Sequence, residues 1–193
     1  TTRAVALRRS DWREADALAT LYTERLGRVR VRVIGARHLT SKFAPWLEPG
    51  AESEVRLHSR GRSWPVLTGI RPLRSLPGLR VGAGLARFAA ACEVLELVDL
   101  LFPAEEAHPE AYHLLTTTLE DLEFSRPEEI EVRVLRFMAA LLTVLGYGPI
   151  PDLAVRDRVR LDEKLTGLRR TLEAALEPHL PRARRAAGWL ARV

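Results

Sequence analysis

Apolar and polar residues alternate through much of the first 75 positions. Arg3-Ala4-Val5-Ala6-Leu7-Arg8 and Ala17-Leu18-Ala19-Thr20-Leu21-Tyr22-Thr23 follow the pattern, and Arg28-Val29-Arg30-Val31-Arg32-Val33 holds strict period two after Gly27. Successive side chains on a strand point to opposite faces, so this spacing predicts three valines packed inward and three arginines in a row outside. Glu54-Val55-Arg56-Leu57-His58 and Trp64-Pro65-Val66-Leu67-Thr68-Gly69-Ile70 give two more strands, joined by a turn at Ser59-Arg60-Gly61-Arg62-Ser63. Five short strands with one long connection over residues 36–50 predict a small closed barrel such as an OB-fold. A small open sheet is the competing arrangement.

The period changes near Pro77-Gly78. Leu85, Phe88, Cys92 and Leu95 recur at helical spacing, and the segment closes with Leu101-Phe102 before Pro103. A second helix is expected from Pro109 to about Glu123, with Ala111, Leu114, Leu115, Thr118, Leu119 and Leu122 on its inner face. Ser125, with Glu128 three residues on and Pro127 in the first turn, reads as the capping box of a third helix. Its core stripe is Ile130, Val134, Phe137, Met138, Leu141 and Leu145, and Gly146 with Gly148-Pro149 ends it. One or two further helices are expected near 158–177 and 181–190. The pattern as a whole predicts an α+β chain: a small N-terminal β-barrel over residues 1–77, then an all-α helical bundle over residues 78–193.

A chain of 193 residues, 47% of them hydrophobic, can bury a core without staples. Its single cysteine, Cys92, excludes internal disulfides and any zinc site built on a cysteine pair. Residues 83–102 form the most apolar stretch, but Arg87, Glu93, Glu96 and Asp99 interrupt it, so no membrane span is expected. The first residues carry no signal-peptide apolar region, and a soluble cytoplasmic protein is the expectation. Because the chain begins at Thr1 rather than Met, it is expected to be trimmed or to lack a residue or two of its first strand.

Charge sharpens the division. Residues 1–80 hold 16 Lys and Arg against 7 Asp and Glu, whereas residues 81–150 hold 4 against 12. A basic block beside an acidic one suggests a module that faces a polyanion joined to one that does not. All but Lys42 and Lys164 of the 30 cations are arginines, whose planar forks suit phosphates and stack on bases. Base composition of the genome or heat adaptation explains the choice of arginine equally well, but not its concentration at one end.

No catalytic constellation stands out, and neither an enzyme, a cofactor nor a metal is expected. There is no phosphate-cradling glycine loop and no nucleophile motif. His108 and His113 fall on different helix faces, Cys92 falls on an apolar stripe, and Glu105-Glu106 and Glu128-Glu129 are expected at helix starts, where carboxylates suit the macrodipole. The nucleic-acid signal is stronger. Arginines on alternate residues of a strand stand about 6.6–6.8 Å apart, near the spacing of phosphates on an extended single strand. Basic tracks with aromatic platforms are how single strands are held. Arg28, Arg30 and Arg32 are therefore candidate DNA contacts, followed by Arg37, His38 and Lys42 with Phe43 and Trp46 nearby, then Arg60 and Arg62 beside Trp64, then Arg71 and Arg74.

These segments resemble a known family. Ser10-Asp11-Trp12-Arg13-Glu14-Ala15-Asp16 and Leu18 to Thr23 resemble the opening of the RecO family of bacterial recombination mediators. Gly27 to Arg37 looks like that family's basic strand, Ser41 through Leu47-Glu48-Pro49 like its next loop, and Leu67-Thr68 like the strand that enters its helical domain. Leu142 to Pro149, with Leu145-Gly146-Tyr147, is similar to a motif that many RecO proteins follow with a four-cysteine zinc finger. Here Pro149-Ile150-Pro151-Asp152-Leu153 carries no cysteine, so that insertion, near 150–156, is expected to be absent.

The resemblance implies a non-enzymatic DNA repair and recombination protein associated with the nucleoid. It implies binding of single- and double-stranded DNA, strand annealing, association with RecR and indirect help in loading RecA. It also implies capture of the acidic C-terminal tail of single-stranded DNA-binding protein. For that tail the candidate site is Arg133 and Arg136 beside Phe137, and pairing of Glu129 with Arg133 along the helix is the simpler use of the first arginine. A scaffold whose barrel docks a partner such as RecR, with DNA held by the complex, is the alternative.

Overall fold

Five strands close into a barrel in the computed structural model, which describes residues 1–59, 61, 63–76, 84–147 and 161–179. They are β1 (Thr2–Trp12), β2 (Asp16–Thr23), β3 (Gly27–Val33), β4 (Glu52–His58) and β5 (Val66–Arg74). Their order round the wall is β1-β2-β3-β5-β4, with β4 returning antiparallel to β1. This is OB-fold order, and the open sheet is excluded. Alternation dictates the interior: Val29, Val31 and Val33 face inward with Ala17, Ala19 and Leu21 of β2 and Val55 of β4. A one-turn 3-10 helix, Ala44–Leu47, drops the buried Leu47 into the same cluster and plugs the barrel.

Two strand ends differ from the sequence reading. β1 extends to Trp12 because its register with β2 continues to Asp16, and only residues 13–15 turn the chain. β5 starts at Val66 rather than Trp64 because Pro65 has no N–H to give a ladder; its carbonyl instead accepts from the Arg32 N–H at 2.8 Å.

The helices are α1 (Gly84–Leu101), α2 (Pro109–Phe124), α3 (Pro127–Val144) and α4 (Leu161–Leu176), the last followed by a 3-10 turn at Glu177–His179. The expected helix over 181–190, the boundary at 77/78 and the zinc-finger position near 150–156 lie outside the described residues. Barrel and bundle share one core, since Val5, Leu7 and Tyr22 on the barrel's outer wall pack among Phe102 and the buried faces of α1 to α3. No helix among the described residues is long and apolar enough to cross a membrane.

Polar contacts fix the seam. The Tyr112 hydroxyl donates to Glu52 at 2.9 Å, and burial with that carboxylate pushes the phenol up. Asp99 of α1 accepts from Arg8 at 2.7 Å and from Arg28 at 2.9 Å. Glu105 and Glu106 lie not at a helix start but in the loop before α2, which begins at Pro109. That loop crosses the β2–β3 turn, where the Glu105 N–H donates to the Arg28 carbonyl at 3.0 Å.

The third helix starts one residue later than the sequence suggests. Ser125 caps the end of α2, its hydroxyl donating to the Asp121 carbonyl, and Arg126 takes the N-cap of α3. Glu129, not Glu128, reaches back. It accepts from the Arg126 N–H at 3.0 Å and from its guanidinium at 2.8 Å, which holds its carboxyl down at about 2. A depressed carboxyl stabilises the fold above its ordinary value of 4.5 and loses that contribution as pH falls through about 2. Glu129→Gln is therefore expected to lower the thermal midpoint at pH 7, with the gap closing at pH 2. A gap that is constant with pH overturns this assignment.

Candidate nucleic-acid interface

The outer row on β3 exists, but it is not a comb of three free cations. Arg28 is tied to Asp99, and Arg32 Nη2 lies 3.6 Å from Asp16 at the start of β2. This corrects the expectation of three open guanidiniums. A partly covered guanidinium left unpaired would be costly, so the fold supplies each of these two with a carboxylate. Of the three, Arg30 alone has no carboxylate partner among the described residues. Its guanidinium carbon lies 4.8 Å from the centre of the Trp64 ring, and Trp64 meets Trp12 edge-to-face at 5.6 Å.

The remaining candidates divide by barrel end. The end away from the bundle carries the 13–15 turn, the loop after β3 and the approach to β5. Asp16 accepts from the Gly35 N–H at 3.0 Å, and Arg37 clamps the 13–15 turn through the Arg13 and Glu14 carbonyls, with Asp11 at 3.5 Å. Arg37 is thus a positioning group more than an open contact. His38 and Lys42 are exposed and line a groove of about 410 Å3 with Ile34, Ser41, Phe43 and Ile70. Arg13 is exposed at the turn.

The two candidate cations of β5 are both paired. Arg71 sits 2.7 Å from Glu54 and holds that carboxyl down. Arg74 bridges to Glu120 of α2 at 2.7 Å, with Glu52 at 4.0 Å, so it joins barrel to bundle. Arg60 and Arg62 lie outside the described residues.

The helical candidates do not assemble as expected. Arg133 pairs across to Asp121 of α2 at 2.8 Å rather than along its helix to Glu129. Phe137 is 1% exposed in the shared core, so it offers no surface to a peptide, which corrects its place in the tail site. Arg136 alone of the three is exposed. Cys92 is half-buried rather than fully core, lining a crevice with Leu7, Arg8 and Asp99, and burial pushes its thiol up. His108 packs on Phe102 at 5.1 Å, and among the described residues no group of three or more His, Cys, Asp or Glu could hold a metal ion.

The carboxylates that neutralise Arg28 and Arg32 were not marked in the sequence reading. Asp99 is 71 positions from Arg28, and no spacing rule reaches that far. Asp16 had a local signal, since it ends the acidic segment opposite the basic strand.

Known proteins agree with this architecture. The family model "Recombination protein O N terminal" matches residues 1–76, the barrel, and "Recombination protein O C terminal" matches residues 83–166, on the bundle. The DNA repair protein RecO of Geobacter metallireducens is 35% identical over 149 residues, which are 76% of this chain and 58% of that protein. That of a Roseiflexus species is 36% identical over 148 residues, 77% of this chain and 50% of the relative. That of Salinibacter ruber is 30% identical over 172 residues, 86% and 64% respectively. The chain thus spans between half and two thirds of the length of these relatives. With both models laid in order along barrel and bundle, the chain belongs to the RecO family.

Proposed function

We propose that this chain is the DNA-handling part of a DNA repair and recombination mediator. It binds single- and double-stranded DNA at the barrel end away from the helices and promotes annealing. It acts with RecR and with the tail of single-stranded DNA-binding protein, and helps load RecA, without catalysing a bond change itself. The observation that carries this reading is open charge beside an exposed indole. Arg13, Arg30 and Lys42, at the far end or on the β3 face above it, have no carboxylate partner among the described residues. Arg3, Arg25 and Arg56 are likewise unpaired elsewhere on the barrel, but Arg30 lies over the exposed Trp64 ring, while Arg28 and Arg74 are consumed at the seam. Loops at this end of an OB barrel are where oligonucleotides bind. Relatives named DNA repair proteins support the same reading. Annealing brings two polyanions together, and a cationic surface lowers their repulsion.

Neutralising Arg30 and Lys42 together, as Arg30→Gln with Lys42→Gln, is expected to weaken binding of a labelled single strand. The log–log salt slope should flatten by about 1.4, from roughly 0.7 per phosphate contact. Arg28→Gln, whose charge is committed to Asp99, should leave the slope unchanged. Equal slopes in the parent and the double variant overturn the assignment.

The scaffold reading has one observation in its favour: Arg28, Arg32, Arg37, Arg71 and Arg74 all make internal ion pairs. It predicts that the purified chain alone does not retain an oligonucleotide at moderate salt. In either reading Arg136 is the open cation of the helical candidates for an acidic tail.

A further inference from the structure

We infer that Trp64, braced by Trp12 and Arg30, is a stacking seat for one unpaired nucleobase and gives the barrel a preference for single-stranded over duplex DNA. The inference rests on the DNA-binding reading above and adds a contact that acts on bases rather than phosphates.

Three observations meet at this ring. Trp64 is 39% exposed, so part of its indole faces solvent. It is nevertheless held in place: Trp12 packs against it edge-to-face at 5.6 Å, and the Pro65 carbonyl that follows it is hydrogen-bonded to Arg32 on β3. A fixed aromatic loses little conformational freedom when a base stacks on it. The third is Arg30, whose guanidinium lies over the ring with no carboxylate partner among the described residues. Its two neighbours in the row, Arg28 and Arg32, each have one. A cation kept in contact with an exposed indole, and left unneutralised, complements a nucleotide: the ring takes the base and the guanidinium takes the adjoining phosphate or stacks in turn.

The chemistry separates the two forms of DNA. Phosphates are presented by both, so Lys42 and Arg30 act on both. A base in a duplex is stacked between its neighbours and cannot reach the indole, so Trp64 contributes only when bases are free.

The experiment compares three labelled probes of equal length on the full chain: oligo(dT), an abasic oligonucleotide with the same phosphates, and a duplex. The parent should bind oligo(dT) about tenfold more tightly than the abasic strand, within the range for stacking of a single base. In Trp64→Leu that difference should vanish, with a smaller loss on the duplex than on the single strand, and Trp64→Phe should restore most of it. A melting curve checks that Trp64→Leu is folded. Independently of any variant, oligo(dT) should quench the parent's indole emission while the duplex does not. Equal binding of oligo(dT) and the abasic strand by the parent, or an equal loss on single strand and duplex in Trp64→Leu, overturns the stacking seat and leaves the DNA-binding reading standing. Failure of the parent to bind any of the three overturns both.

Discussion

Gly27→Ala is expected to cost about 4 kcal/mol of stability and to lower the thermal midpoint by roughly 8–16 °C. Two effects add. Gly27 has φ +66°, a left-handed conformation that opposes any Cβ by about 1–2 kcal/mol. The space a Cβ would need is already taken by the backbone carbonyl of Glu106, which is not the tip of a side chain and cannot swing aside. Relief requires the 104–106 loop to lift, which breaks the hydrogen bond from the Glu105 N–H to the Arg28 carbonyl and disturbs the seam at Asp99. Gly61 provides the internal control. It has a similar φ of +62° but nothing within 4 Å of its would-be Cβ, so Gly61→Ala should show the conformational penalty alone, about 1–2 kcal/mol. Equal losses for the two variants, measured by thermal or urea unfolding, would show that the crossing loop exerts no steric demand.

The second large effect concerns α4. Arg169 is its clasp: Nε and Nη2 form a fork to Glu131 of α3 at 2.6 and 2.8 Å, and Nη1 reaches Glu93 of α1 at 2.7 Å, with Glu173 on its own helix at 3.5 Å. These carboxylates hold the guanidinium above its ordinary value. Glu93 is only 7% exposed, so removing its partner leaves a buried charge without compensation. Arg169→Met is expected to cost about 3 kcal/mol, the low end for breaking a buried pair, because Glu131 keeps contact with water. Pairing it with Glu93→Gln should recover much of the loss, since the most deeply buried of the carboxylates left without a partner is then neutral, while Glu131 and Glu173 are more exposed. If the double variant is no more stable than the single one, the burial of Glu93 is not what Arg169 answers.

The barrel was largely legible in the sequence because a period of two is a local property: the valines of β3 had to face one way and its arginines the other. The first three helices were legible for the same reason. Their register was less so at the α2–α3 corner, where Ser125 and Arg126 compete for the cap and the winner depends on Asp121, a turn away. The candidate surface was half legible. Which arginines are cationic and outward can be read from alternation, but which remain available cannot. That is decided by Asp16, Asp99, Glu54 and Glu120, each on a different element from the arginine it pairs with and brought alongside by the fold. Phe137, by contrast, was legible as a core residue from the stripe of its helix, and its burial rules out the second use suggested by the two arginines beside it.

The barrel wall is not equally strong all round. β1 and β2 hold each other over most of their length, whereas β3 and β5 are in register at one position, Arg32 opposite Val66. The indole and the guanidinium that share the outer surface flank this thin join rather than the thick part of the wall. A small parting of the two strands there would widen or narrow the gap between ring and cation without unfolding anything else. If the chain binds DNA as proposed, such give lets large and small bases take the same berth in turn.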